Sequence, residues 1–374
     1  MESYDVVVVG AGLAGLVAAH GLTERGASVL LVDRRRSVEE RVATTGIFVR
    51  RTLEDFDLPD DCLGPPVRDV ILASPAGREL HLTSDAVEYR VGRMGLLYRR
   101  WLDKAVTAGA VWAPGTTFVE AVSAAGGGLA VRLESADVSR RVAARFLIGA
   151  DGSQSAVARN LGLDINLREI VGAETVHRGV PLEGAAHFRC VLDPLVAPGY
   201  LAWVVHDGEE VHVGVGGQVR RYAVAQSLRA FTQRMLEHYD LDAGEIVERR
   251  GGRIPVGGVL PHIANARGLL VGDAAGAVSP LTAGGLDPCL RLSAFAVDVT
   301  LSYLASGDTT ALAGYDGRWF RRHFRTRLTL RNVLVALWTP TALEVGCALL
   351  RTPPGRNLAR SVFFGRGSFP DPPR

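Results

Sequence analysis

Apolar and polar positions alternate with different periods in different parts of the chain, and the period changes mark the elements. Val6 to Val9 form an unbroken β-branched run, the pattern of a strand buried on both faces, and Leu13–Glu24 carries apolar side chains at helical spacing before a second strand runs to Val32. Two further short apolar strands, Ala143 to Ile148 and Leu269 to Val271, each run straight into Gly and Asp. Residues 67–91 alternate as two strands around a turn at Pro75 to Gly77, and most of 166–251 is strand-like, which predicts one antiparallel sheet. After Ala305 the pattern turns helical, with an amphipathic stretch followed by an apolar segment broken at Pro340.

With 374 residues, 47% of them hydrophobic, the chain can bury a large core and form about two domains. A formal charge of +2 with dispersed arginines argues against a nucleic-acid partner. Cys62, Cys190, Cys289 and Cys347 are far apart and without metal-ligand spacing, so neither a disulfide framework nor a metal centre is expected. MESYD leads directly into the first strand with no basic leader, which fits a cytoplasmic protein. The nearest approach to a membrane span, from Asn332, is interrupted by Pro340 and Glu344, so no transmembrane span is expected.

The chemistry begins at the first turn. Gly10, Gly12 and Gly15 stand in G-x-G-x-x-G order between a strand and a helix. Gly10 permits the sharp turn, Gly12 lets backbone amides approach a pyrophosphate, and Gly15 lets helix and strand pack closely. Asp33 ends the next strand, where an acid accepts hydrogen bonds from an adenosine ribose. Asp151-Gly152 and Gly272-Asp273 follow the two later strands, so three strand-to-loop junctions converge on one expected dinucleotide site.

With these motifs the chain resembles the geranylgeranyl reductase family, within the p-hydroxybenzoate hydroxylase-type flavoprotein superfamily. The resemblance implies FAD as cofactor and an α/β fold: a Rossmann-like FAD-binding domain (1–66, 92–165, 252–305), an antiparallel β-sheet substrate domain (67–91, 166–251) and a C-terminal helical region (306–374). It assigns the ADP moiety to the first segment, the ribityl and pyrophosphate region to Asp273, and the isoalloxazine edge to Gly284, Gly285 and Leu286. It also implies flavin contacts for Asp151 and for Arg93 at a helix start, and a backbone contact to adenine at Phe118. NAD(P)H or another reductant is the implied transient electron donor.

Tyr200 and Trp203, followed by Gly214 and Gly216, approximate a family pattern of substrate-sheet aromatics, with one extra residue between the rings. They read equally as pocket lining or sheet core. His206 and His212 flank an expected hairpin at Asp207-Gly208 and read as polar residues near its tip. GDAAGAVSPLTAGG follows the reductase version of the loop, except that Ala283 replaces a Gly. Thr44-Thr45-Gly46 stands where reductases often carry Cys-Gly-Gly. Asp287-Pro288 reads either as a helix N-cap with Pro at N1 or as a catalytic carboxyl beside the flavin. The leading expectation is hydride delivery from reduced flavin to an unsaturated, largely apolar small molecule; the C-terminal helices read first as an amphipathic pair packed on the FAD-binding domain and, as the alternative, as a membrane-facing entrance for a lipid-like substrate. The alternatives are an NAD(P)H-dependent monooxygenase and a non-catalytic FAD-stabilised binding protein.

Overall fold

The computed structural model describes residues 1–371 except 126, 137, 220–222 and 366–368. Its first sheet has eight strands. Val111–Ala113, Val29–Val32, Ser3–Val9, Val138–Gly149 and Gly268–Leu270 run parallel in that order, so the carboxyl ends of the central strands meet at one edge. Val6, Val7 and Val8 are fully buried, as a strand covered on both faces requires. Helix Leu13–Glu24 covers one face, and helix Leu286–Ser306 packs against it. Leu286–Ser306 is long and apolar enough to cross a membrane, which an uninterrupted-run criterion missed because Asp287, Arg291 and Asp298 are spaced within it. Here its length is used inside the protein, with Leu290, Leu292, Ala296 and Val297 buried.

The second sheet has seven strands in the order Glu245–Pro255, Glu169–Arg178, Glu210–Gln218, Ala202–His206, His187–Val191, Asp69–Ala73, Glu79–Thr83. All neighbours are antiparallel except His187–Val191 against Asp69–Ala73, which is parallel because the two strands come from separate stretches of chain and need no hairpin between them. Tyr89–Val91 leaves this sheet and pairs with Ile47–Val49. Helices Gly317–His323, Arg325–Ala336, Pro340–Leu350 and Pro353–Phe363 complete the chain. Thr339 and Thr352 cap the last two, with Pro at the first turn of each, so the proline that breaks the apolar segment starts a helix.

Candidate active site

The three strand-to-loop junctions meet at one cavity of about 1010 Å³ that continues between the second sheet and the C-terminal helices. Gly10, Gly12, Asp33, Phe118, Asp151, Gly152, Gly272, Asp273, Gly284, Gly285 and Leu286 all line it, as do Tyr200 and Trp203. The three glycines of the first turn divide their work. Gly10 has φ +103°, and a Cβ there would stand 2.2 Å from the Ala150 carbonyl oxygen; a Cβ on Gly15 would stand 1.8 Å from that of Gly10. A Cβ on Gly12 would meet nothing within 4 Å, so that glycine keeps the cavity clear instead of making room inside the fold.

Helix Leu13–Glu24 starts at this open position with no side-chain cap and no acid in its first turn. Its free N–H groups and positive end suit an anionic pyrophosphate. Asp33 accepts from the Ala11 amide at 2.7 Å and from the Arg35 guanidinium at 2.9 Å. Burial opposes its charge, but the Arg35 contacts hold its carboxyl below the usual range. Asp151 uses Oδ2 to accept from the amides of Ala156 and Val157 at 2.7 and 3.1 Å, while its buried Oδ1 has no partner. An orphaned acceptor in a residue at the cavity wall offers a place for a donor such as a ribityl or ribose hydroxyl. Burial, assisted by Glu169, pushes the Asp273 carboxyl up to about 6. The uncapped helix, clear glycine and orphaned oxygen therefore fit FAD.

Two expected contacts take other forms. Arg93 does not line the cavity; its guanidinium pairs with Glu209 at 2.9 Å. Asp287 is neither cap nor cavity lining, because the helix begins one residue earlier, at Leu286, with Gly285 at the N-cap. Its Oδ1 instead accepts from Thr52 at 3.0 Å and from Arg291 at 2.9 Å, which spends the carboxylate on holding two helices together.

Tyr200 and Trp203 are both core and lining. They are 8% and 9% exposed, and each lies over a glycine of the neighbouring strand. A Cβ on Gly214 would fall 2.2 Å from Trp203 Cε2, and one on Gly216 would fall 2.6 Å from Tyr200 Cδ1. Tyr200 donates its hydroxyl to the Thr282 carbonyl at 2.6 Å, joining the substrate sheet to the Gly-rich loop. In that loop Ala283 has φ +51°, the left-handed conformation that a Gly adopts without strain.

A buried ionic array unmarked by any motif lies beside Trp203. Glu174 lines the cavity and accepts hydrogen bonds from Thr45, from Trp203 Nε1 at 3.1 Å, and from Arg250 at 3.4 Å. His212 is 1% exposed, with Nδ1 3.2 Å from Glu174 and Nε2 3.6 Å from Asp207, so it is a core residue and not part of a hairpin tip. Burial opposes its protonation, but Glu174 and Asp207 together push it up to about 9. The Glu174 carboxyl, which burial would raise, is held below its ordinary value by His212 and then Arg250. Asp207, Glu210 and His212 offer ligand atoms within 4.8 Å of one another, but the imidazole pairs with Asp207 while Glu210 accepts from Arg178. Sequence reasoning missed Glu174 because its neighbours come from four separate stretches; the available signal was an acid at the two-residue spacing of Ile170, Gly172 and Val176.

The fold and site define an FAD-binding oxidoreductase: residues 5–62 and 101–291 each match an FAD-binding domain family. Digeranylgeranylglycerophospholipid reductase 1 of Methanopyrus kandleri is 33% identical over 357 residues, covering 89% of this chain and 91% of that protein. The digeranylgeranylglycerophospholipid reductase of Methanocaldococcus jannaschii is 28% identical, covering 89% and 87%. A geranylgeranyl bacteriochlorophyll reductase-like structure from Thermoplasma acidophilum superposes with TM-score 0.85 over 98% of both chains at 21% identity. A p-nitrophenol 4-monooxygenase from Pseudomonas putida reaches 0.67 over 98% and 95% at 18% identity, a likeness of fold. The chain belongs to the geranylgeranyl reductase family of FAD-dependent enzymes.

Proposed function

We propose that this protein reduces carbon–carbon double bonds of an unsaturated isoprenoid lipid, with NAD(P)H or another reductant as electron donor. The observation that carries this reading is the continuity of one cavity from Gly10, Asp151 and Asp273 to an apolar chamber walled by Leu72, Phe188, Leu334, Trp338 and Phe363. Bound FAD supplies hydride transfer. The chain's own residues shape the rest. Gly12 and the following helix take the pyrophosphate, Asp33 the adenosine ribose, Asp151 and Asp273 the ribityl and flavin region, and Tyr200 and Trp203 form the wall beside the Gly-rich loop. Reduction of a double bond also consumes a proton, and the Glu174–His212 pair holds one at the cavity wall, carried on the imidazole behind the Glu174 carboxylate.

Access for such a substrate runs along the C-terminal helices, where Val333, Leu337, Val345, Leu349 and Leu358 are exposed on the same helices that line the chamber. These side chains suit peripheral contact of a cytoplasmic protein with a membrane surface. The test is anaerobic: the yellow protein is bleached with NADPH or NADH and then mixed with geranylgeranyl-bearing lipids. Flavin reoxidation with a product heavier by two hydrogens is expected. Oxygen-dependent turnover to a product heavier by one oxygen would overturn the reading in favour of a monooxygenase.

A further inference from the structure

The ionic array beside Trp203 joins the cavity to the outside of the second sheet. Thr45 and Glu174 line the cavity, whereas His212 and Asp207 stand behind them. Thr45 donates its hydroxyl to Glu174 Oε2, and Glu174 Oε1 lies 3.2 Å from His212 Nδ1. The other ring nitrogen, Nε2, stands 3.6 Å from Asp207 Oδ2 and is buried without a hydrogen bond. Asp207 uses Oδ1 to accept from the amides of Glu209 and Glu210 at 3.0 and 2.8 Å, which leaves Oδ2 for the imidazole. This carboxylate sits in the turn between Ala202–His206 and Glu210–Gln218. It is itself buried, but Gly208 and Glu209 next to it are exposed. Arg93 pairs with Glu209 and so holds the turn against the start of helix Met94–Thr107.

An imidazole with a carboxylate at each nitrogen takes up a proton on one side and releases one on the other. Resting on the reductase reading above, we propose that Asp207, His212, Glu174 and Thr45 form a relay that brings one proton per turnover from water at the hairpin turn to the substrate double bond. Reduction breaks one π bond and forms two C–H bonds. The hydride comes from FAD reduced by NAD(P)H or another two-electron donor, and the proton comes from the Thr45 hydroxyl. Thr45 takes the proton of Glu174, Glu174 that of His212, and His212 recovers one through Asp207, so the array ends as it began. With the Glu174 carboxyl protonated, its bond to Thr45 reverses and frees the hydroxyl hydrogen for the cavity. The outer contact must close from 3.6 Å to about 3 Å for reloading. The titratable and charged groups around His212 are Glu174 and His177 on one neighbouring strand, His206 and Asp207 at the end of the other, Glu210 on its own strand, and Arg250 one strand further out. Burial opposes the imidazolium charge, and the Glu174 and Asp207 carboxylates outweigh it, so the proton is stored at neutral pH. Asp207 and His212 act through Glu174 and Thr45.

Asp207→Asn tests the outer end, because it keeps Oδ1 and its two amide bonds while the group at Oδ2 no longer passes a proton. The reduced, FAD-loaded protein is mixed anaerobically with a geranylgeranyl-bearing lipid, first without and then with excess NADPH. The variant is expected to match the parent in the first flavin reoxidation, which spends the stored proton, and to slow at least tenfold in the turnovers that follow. Asp207→Glu is expected to restore most of the rate. Thr45→Val, at the inner end, is expected to slow the first and later turnovers alike. Carbon-13 NMR of histidine-labelled, FAD-free protein at pH 7, with the resonance assigned by its loss in His212→Gln, is expected to show His212 protonated in the parent and in Asp207→Asn. Later turnovers at the parent rate in Asp207→Asn would overturn the relay and leave the reductase reading standing, as would a Thr45→Val protein that reoxidises like the parent. A first turnover of Asp207→Asn slowed as much as the rest, or a neutral His212 in that variant, would make Asp207 a counter-ion alone and also overturn it. A parent protein with reducible flavin that no prenyl lipid reoxidises would overturn the reductase reading and the relay together.

Discussion

At single positions, the first-turn glycines separate folding from binding. Gly12→Val introduces a side chain into open cavity, so the protein is expected to purify largely without FAD, as read from flavin absorbance, yet to fold with a thermal midpoint close to that of the FAD-stripped parent protein. Gly15→Ala is expected to fail earlier, in the yield of folded protein, because its Cβ would overlap the Gly10 carbonyl oxygen. Ala283 is the opposite case, a residue with a Cβ where the backbone favours none. Ala283→Gly relieves about 1–2 kcal/mol of left-handed strain and adds somewhat less than that in chain entropy. A net stabilisation below about 1 kcal/mol is therefore expected in chemical denaturation. The placing of the G-x-G-x-x-G turn and of Gly272-Asp273 at the cavity was legible because backbone geometry restricts residue type at those positions. Arg93 and Asp287 were not, because a side chain's direction depends on partners distant in sequence, here Glu209 and Arg291.

Among elements, the adjacent strands Glu169–Arg178 and Glu210–Gln218 carry the buried array, and they make stability depend on pH in a definite direction. His212 rises from the ordinary histidine value near 6.5 to about 9 in the folded protein. Its contribution is fully present below 6.5 and is lost as pH rises through about 9. Denaturation at pH 7 and pH 10 is expected to differ by a loss on the order of 3 kcal/mol, and Glu174→Gln should remove most of that difference. Asp207, lowered to about 2, works at the other end: its contribution is present above 3.8 and is lost as pH falls through about 2. Strand positions were visible in the two-residue period and helix positions in the apolar spacing. The array was not, since periodicity marks which face a residue occupies and not which charges meet there.

For the molecule as a whole, the two sheets and the C-terminal helices enclose one space with a polar end and an apolar end. Leu334→Arg places a charge in the apolar end, distant in sequence from every FAD-binding junction. It is expected to leave flavin content intact while weakening binding of prenyl compounds at least tenfold, as titrated against the oxidised protein. The division into a dinucleotide-binding sheet, a second sheet and a helical tail could be read from changes of period along the chain. The parallel pairing of His187–Val191 with Asp69–Ala73 could not, because no short turn connects them and register across such a pair is set only on assembly.

The rings of Tyr200 and Trp203 lie on Gly216 and Gly214 of the next strand, each at a distance that a single methyl group would violate. Changing the glycine first drives a side chain into the ring, while changing the ring first leaves a void over bare backbone. Each pair is thus a coupled trait: a lineage can exchange it for another packing only by two substitutions in close succession. Ring and glycine should therefore be gained and lost together among relatives that keep this sheet.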